Sequence, residues 1–330
     1  MIETKLYTRP EVEDFIRQGK VLHLCGTAEV LQGLPKGNWI AGTSAYFASG
    51  EGVVSSDKIF VNDFTEVANG VEFKNFDETN IHTIADKEFN GFIFLIIPMD
   101  SKVMSEYAHN CMSYKNLFIN PIVGYIAGAP LSEIEFSKTY TATGDIGVFS
   151  SEKASAMYVT LKEGLTARPE IIYLDETAPD SPKITFPKTG YVQSDCYLDG
   201  VPANIADYLT KVGLNGKMYC DIMSDLGGAK ICKGTRKVDS INKEVTFYIP
   251  PMEGDVYQVV RKKGDYADDF NKMIASRREK NDVMFCIGCI NYFVGGELEG
   301  RKMDFNLPFC FGEIIYEIVN KTFVTLEIDR

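Results

Sequence analysis

Apolar residues recur at helical spacing in a few short segments of the chain. Val12, Phe15 and Ile16 share one face of the first segment, between Pro10 and Gly19. Proline suits the first turn of a helix and glycine suits its end, so this segment is predicted as a helix. Similar patterns predict three further helices, beginning at Asp100 or Ser101, at Pro202 and at Asp265.

Most of the remaining pattern consists of short runs rich in β-branched and aromatic residues, each bounded by glycine, proline or aspartate. Such runs are typical of strands. The clearest are Gly91–Pro98, Glu170–Leu174, Val245–Pro250 and Val256–Val260. Strands outnumber helices and do not alternate regularly with them, which favours an α+β fold over a doubly wound parallel sheet.

A poorly patterned stretch interrupts the chain near its middle. Glu176–Lys188 contains three prolines and several other turn-forming residues. The chain has 330 residues, which is enough for two domains of ordinary size. We therefore expect two α+β domains, residues 1–189 and 190–330, each with mixed β-sheets packed against helices.

Composition excludes several classes of function. The net charge of −12 disfavours binding to nucleic acid or to an anionic membrane surface, because both need clustered cations. The longest unbroken apolar run, Phe92–Ile97, has six residues, whereas a membrane-crossing helix needs about 20. The N-terminus lacks the apolar stretch of a secretory signal. The eight cysteines form no disulfide pattern, so we expect a cytoplasmic protein.

Two apolar runs near the end of the chain, Asp282–Val294 and Leu307–Ile328, are predicted as strands although polar residues interrupt them. The interrupting side chains are Cys286, Cys289, Asn291, Glu313 and Asn320. A buried polar group without a partner costs about 1–3 kcal/mol. These side chains therefore either satisfy one another and pin adjacent strands together, or they face a ligand.

Neither the cysteines nor the histidines form a recognisable catalytic or metal motif. Cys286 and Cys289 have CxxC spacing, but zinc needs four ligands and no second pair follows. Nothing in the spacing of His23, His82 and His109 brings one of them to a nucleophile, so we predict no catalytic residue and no metal site. The alternatives are a hydrolase or transferase that uses Cys286 with a histidine base, and haem binding through a histidine.

A glycine-dense stretch, Gly33–Gly52, holds the single tryptophan of the chain, Trp39, and the hydroxyl residue Thr43. Glycines allow the backbone to approach another group closely, and hydroxyls make directed hydrogen bonds. The stretch is either part of a ligand site or a hairpin with tight turns.

Several segments resemble proteins of the FIST family. Leu198–Ala203 is similar to the junction between the two halves of FIST proteins. Phe309–Ile314 and Asn320–Thr322 resemble the family's closing signature, and Val283–Asn291 resembles its cysteine-bearing strand. Asn38–Phe47 and Asn120–Ala129 are similar to glycine-rich strands in the first half of FIST proteins. The chain as a whole resembles a bacterial branch of the family most.

The resemblance implies a FIST N-like domain followed by a FIST C-like domain, a sensory module that binds small ligands such as amino acids; some members carry haem. The arginine expected after the family's cysteine is absent here, which removes a clamp for a carboxylate. We expect a cytoplasmic sensor for a small polar ligand that acts on a separate signalling protein, with no cofactor. Its predicted ligand-binding residues are Cys286, Asn291, Tyr292, Glu313, Asn320, Trp39 and Thr43.

Overall fold

The computed structural model of the protein describes residues 2–134, 136–214, 221–226, 229–262, 264–278 and 282–329. Strand is more frequent than helix, 43% against 17%. The strands form several sheets that mix parallel and antiparallel pairs, as the sequence predicts.

Six α-helices lie within the described residues. They are α1 (Arg9–Arg17), α2 (Ala28–Leu31), α3 (Lys102–Asn110), α4 (Ile205–Lys211), α5 (Tyr266–Arg278) and α6 (Ile290–Gly295). The predictions of α1, α3 and α5 are confirmed. Pro202 does not open a helix but lies in a strand, and α4 begins after Asn204, whose side chain accepts a hydrogen bond from Asp207 N at 3.0 Å. No helix in this part of the chain is long and apolar enough to cross a membrane.

The strands are short, and most are antiparallel to their neighbours. In chain order they are β1 (Lys5–Tyr7), β2 (Leu22–Gly26), β3 (Trp39–Thr43), β4 (Tyr46–Ala48), β5 (Gly52–Val54), β6 (Ile59–Asp63), β7 (Ala68–Phe76), β8 (Gly91–Pro98), β9 (Ile122–Ala127), β10 (Thr141–Thr143), β11 (Ala154–Leu161), β12 (Thr166–Ile172), β13 (Asp175–Thr177), β14 (Ile184–Thr185), β15 (Val192–Gln193), β16 (Asp195–Leu198), β17 (Val201–Asn204), β18 (Asp221–Leu226), β19 (Ala229–Asp239), β20 (Glu244–Phe247), β21 (Tyr257–Lys262), β22 (Asp282–Cys289), β23 (Leu307–Cys310), β24 (Glu313–Ile315), β25 (Glu317–Val319) and β26 (Phe323–Asp329).

The chain forms two compact units. Unit 1 consists of Met1–Ile172, Ala267–Ile318 and Phe323–Arg330, and unit 2 consists of Tyr173–Tyr266 and Val319–Thr322. Unit 1 contains three sheets. Sheet 1 has the order β1-β6-β2-β3-β10, sheet 2 the order β25-β24-β9-β8-β11-β7, and sheet 3 the order β12-β26-β22-β23-β4-β5. Each of them contains a parallel pair: β2 with β3, β8 with β9, and β22 with β23.

Unit 2 is built on one large sheet with the order β15-β20-β19-β18-β21-β14-β16-β17, with β13 pairing to β21. Its apolar core joins Ile205 and Leu209 of α4 to Ile222, Phe247 and Tyr257 of the sheet. The equivalent core of sheet 1 gathers Val12 and Ile16 of α1 with residues of β2, β3 and β6.

The compact units do not follow one another along the chain, so they differ from the predicted domains 1–189 and 190–330. Strands from the end of the chain pair with strands of residues 1–189: β26 with β12, β23 with β4 and β24 with β9. The predicted closing strands also differ from those observed. The first ends at Cys289 and continues as α6, and the second is divided into β23, β24, β25 and β26.

Candidate functional site

A cavity of about 560 Å³ lies in unit 1 where strands of two sheets end. The parallel strands β2 and β3 reach it through Thr27, which follows β2, and Thr43, which ends β3. Gly128, directly after β9 of sheet 2, lines it as well. Ligands often bind beyond the carboxyl ends of parallel strands, and pockets for small molecules usually have volumes of about 300–1,000 Å³.

Hydrogen bonds to the main chain hold the hydroxyl groups of the cavity wall in place. Thr43 Oγ1 accepts from Tyr140 N at 3.0 Å, and Thr43 O accepts from Gly128 N at 2.7 Å. Thr27 Oγ1 donates to Ser56 O at 3.1 Å. The wall is therefore fixed before any ligand arrives, which lowers the entropy cost of binding.

Gly128 brings the backbone of the cavity close to an aromatic ring. A Cβ atom at this position would lie 2.0 Å from Cδ2 of Phe311. Non-bonded carbon atoms do not approach this closely, so any side chain at position 128 would displace the Phe311 ring. Close approach, rather than a left-handed turn, is the reason for glycine here.

The lining of the cavity includes side chains of both charges. Glu29, Glu133 and Lys138 line it and are exposed. The Ser137 hydroxyl donates to Glu133 Oε2 at 3.2 Å, which orients this carboxylate. Carboxylates bind amines and an ammonium binds carboxylates, so the arrangement suits a small molecule that carries both groups.

Of the seven predicted ligand-binding residues, Thr43 lines this cavity. Trp39, at the other end of β3, is fully buried among the core residues of sheet 1. Its indole Nε1 donates to Pro35 O at 2.8 Å, so its one polar atom is satisfied within the protein.

Cys286 and Tyr292 lie in a buried aromatic region of unit 1. Cys286 is opposite Thr325 of β26, on the same face as Phe323. The Phe323 ring contacts Phe270 of α5 at 4.3 Å between centroids and stacks on Tyr292 at 4.9 Å. Burial raises the pKa of the Cys286 thiol, which keeps it protonated and therefore weakly nucleophilic.

The remaining predicted residues are also buried, and they fall in different units. Asn291 lies on α6 and Glu313 on β24, both in unit 1. Glu313 Oε1 accepts a hydrogen bond from Cys310 Sγ at 3.5 Å. Asn320 belongs to unit 2, where its Oδ1 accepts from Gly234 N at 3.4 Å.

A cluster of charged side chains inside unit 2 was not predicted from the sequence. Lys321 Nζ lies 3.1 Å from Asp221 Oδ2 and 3.4 Å from Asp175 Oδ2. The Tyr266 hydroxyl donates to Asp175 Oδ1 at 2.8 Å. Lys321 interrupts the apolar run Leu307–Ile328, and this was the available signal. Its two carboxylate partners lie far away in sequence and carry no shared motif.

The three histidines occupy separate places in unit 1. His23 is fully buried with Nε2 3.0 Å from the Tyr125 hydroxyl, and burial lowers its pKa to about 3. His109 Nδ1 lies 2.8 Å from Ser105 O, and the ring of His82 contacts that of Tyr114. Across the described residues, no group of three or more His, Cys, Asp or Glu side chains is placed to hold a metal ion.

Comparison with known proteins identifies a family rather than an activity. Neither the curated proteins nor the solved structures gave a significant match. The model of one family, described as a family of unknown function (DUF6976), matches residues 7–329. Because this match spans almost the whole sequence, the chain belongs to the family of unknown function DUF6976.

Proposed function

We propose that this protein is a sensor that binds a small zwitterion, such as an amino acid, in the cavity of unit 1. The observation that carries the proposal is the presence of Lys138, Glu29 and Glu133 around one preformed cavity that Thr43 also lines. Lys138 binds the ligand carboxylate, the glutamates bind its amine, and the Thr43 hydroxyl contributes a directed hydrogen bond.

The wider parts of the proposal come from the sequence. They are a FIST-like sensory role with a separate signalling protein as its output, a cytoplasmic location, and an α+β fold of two domains with helices packed on mixed sheets. Seven cysteines of the described residues are free thiols, which supports a reducing compartment. The cores that join α1 to sheet 1 and α4 to the sheet of unit 2 support the helix-on-sheet arrangement.

The proposal is tested by measuring thermal shifts and calorimetric affinities with a panel of amino acids. A ligand of the folded state raises the free energy of unfolding by about 2.7 kcal/mol at 100 times its Kd. Lys138→Met should weaken binding about 10- to 100-fold, because a charged hydrogen bond contributes about 1.5–3 kcal/mol. Thr43→Val should weaken it by less.

Lys36→Met is the matched control, because Lys36 is an exposed lysine that does not line the cavity. It should leave the affinity unchanged. A panel without any binder, or equal affinities for the Lys138 and Lys36 variants, would count against the site.

A structural role is the second candidate, and the position of Asn320 favours it. This side chain binds the main chain of Gly234, as expected of a residue that pins two segments together. Asn320→Ala would then lower stability in a protein that binds no member of the panel. An enzyme that uses Cys286 is less well supported, because this thiol is buried and a nucleophile must reach its substrate. Native protein should therefore resist alkylation by iodoacetamide at Cys286.

A further inference from the structure

Three charged side chains from distant parts of the chain meet inside unit 2. Lys321 lies in the turn between β25 and β26, Asp221 begins β18 and Asp175 begins β13. Their side chains are almost completely buried, with exposures of 3%, 1% and 4%. The lysine nitrogen is within 3.4 Å of an oxygen of each carboxylate. An amine and two carboxyl groups are thus held together out of contact with water.

We propose that the protein joins Lys321 to Asp221 by an amide bond between their side chains, and that Asp175 transfers the protons in this reaction. In water an amine and a carboxylic acid do not condense, because both are charged and water is in excess. A folded protein can exclude water and change the charges of buried groups. It also holds the two reacting groups next to each other, so they need not meet by diffusion.

Burial favours the protonated form of the two carboxyl groups, whereas their charges favour the ammonium form of Lys321. It raises the pKa of Asp221 and of Asp175, and the two carboxylates together raise the pKa of Lys321 above its ordinary value despite the burial of the amine. The reaction starts from one ammonium, one carboxylate and one protonated carboxyl group, a set without net charge. A protonated carboxyl group is the form of an acid that an amine can attack.

The bond formation balances without an oxidant, a reductant or a second substrate. Lys321 passes one proton to the Asp175 carboxylate and becomes a neutral amine. Its lone pair attacks Cγ of the protonated Asp221 side chain, and the electrons of the C=O bond move to oxygen. Asp175 then gives its proton to the hydroxyl on Cγ, the C=O bond re-forms as the C–OH bond breaks, and Asp175 takes a proton from the nitrogen. One water leaves, the Nζ–Cγ amide remains, and Asp175 ends protonated.

Neighbouring groups assign the two aspartates to different roles. The Tyr266 hydroxyl donates a hydrogen bond to Asp175 Oδ1, and Asp175 Oδ2 contacts the lysine, as a proton-transfer group requires. Asp221 is closer to Lys321 Nζ, and the Thr235 backbone donates a hydrogen bond to its carboxylate. Gly234 makes room for Asp221 Oδ1, because a Cβ at position 234 would lie 3.1 Å from this oxygen. Lys321 has a φ of 54°, a rarely populated conformation that the fold imposes on it.

The decisive experiment is mass spectrometry of the full-length protein under denaturing conditions. The proposal expects a mass lower than that of the sequence by one water. It also expects a branched peptide after proteolysis that links Lys321 to Asp221. The exposed ion pair of Lys243 with Asp207, at 2.9 Å in the same unit, is an internal control that should stay unlinked. A mass equal to that of the full sequence, or a link to Asp175 instead of Asp221, overturns the proposal.

Variants then test the role of each group. Lys321→Arg and Asp221→Ala should restore the full sequence mass. Asp175→Asn should also lose the cross-link, with circular dichroism showing whether the fold is kept. A folded Asp175→Asn protein that still contains the bond overturns the proton-transfer role. The mass of the parent protein alone shows whether the bond exists, so this test does not depend on the folding of any variant.

Discussion

At the scale of single residues, His23 shows how a polar side chain can belong to the core. Its ring packs on Phe94 with centroids 4.7 Å apart and against the edge of Phe285 at 5.5 Å. Its Nε2 meets the Tyr125 hydroxyl. A charged imidazole would be costly in these surroundings, so the folded protein keeps it neutral. The residue contributes to stability in a manner that depends on pH.

We predict that His23 makes the protein sensitive to mild acid. The unfolded chain binds a proton on His23 below pH about 6.5, whereas the folded protein does so only near its pKa of about 3. The unfolded state therefore gains protons first, and stability is full above pH 6.5 and falls as the pH decreases toward 3. The loss should reach roughly 3–5 kcal/mol, from 1.36 kcal/mol for each unit of pKa difference.

Urea denaturation between pH 3 and pH 7.5 measures this dependence. His23→Gln should be less stable at neutral pH but should show a flatter dependence on pH than the parent protein. His82→Gln is the control at an exposed histidine and should keep the parent's dependence. Parallel curves for the parent and the His23 variant would contradict the prediction.

At the scale of elements, ion pairs connect α5 to sheet 3. Glu327 of β26 is fully buried. Its Oε1 lies 3.1 Å from Arg277 of α5, and its Oε2 lies 2.5 Å from Arg168 of β12. Asp329, on the same strand, contacts Arg168 at 3.2 Å but is 41% exposed. The two carboxylates therefore form a matched pair that differs in burial.

We predict that Glu327→Gln lowers the free energy of unfolding by about 2 kcal/mol, because two guanidinium groups lose their shared counterion in a partly dry site. Asp329→Asn should cost less than about 1 kcal/mol, because water screens exposed ion pairs. Chemical denaturation of both variants measures the difference. Equal losses would show that burial does not determine the contribution of this network.

The elements with local signals could be predicted from the sequence. In α1, Thr8 and Glu11 form a capping box, and in α3 the Ser101 side chain accepts from Met104 N at 3.2 Å. Such signals lie within four residues and are visible in one sequence. In contrast, α6 was predicted as strand because Ile290–Gly295 is apolar and short, and periodicity cannot separate a short buried helix from a strand.

The candidate sites divide in the same way. Thr43 could be singled out from the sequence because a hydroxyl among glycines is a local pattern, and it lines the cavity. Lys138 and Glu29 were not predicted, because single charged residues outside any motif look like ordinary surface. The cluster around Lys321 depends on Asp175 and Asp221, which are about 100 residues or more away in the sequence. Long-range pairing brings them together, and a single sequence carries no record of it.

At the scale of the whole molecule, the order of the strands in space is not their order in the chain. Sheet 3 combines β4 and β5 from the beginning of the chain with β22, β23 and β26 from its end. Most residues of unit 2 lie between these two groups in the sequence. Loop closure over such distances is slow and leaves strand edges unpaired until the last segment is made. This arrangement bears on whether the predicted first domain can fold alone.

We predict that residues 1–189 do not fold by themselves. This fragment lacks β26, β23 and β24, which pair with β12, β4 and β9 in the intact protein. Its unpaired strand edges should cause aggregation. Circular dichroism and size-exclusion chromatography should show no cooperative thermal transition and no monomer. Co-expression with residues 190–330 should recover a soluble complex, because every strand partner is then present. A fragment 1–189 that melts cooperatively alone would instead favour the two consecutive domains expected from the sequence, with the later strands adding to a structure that is already formed.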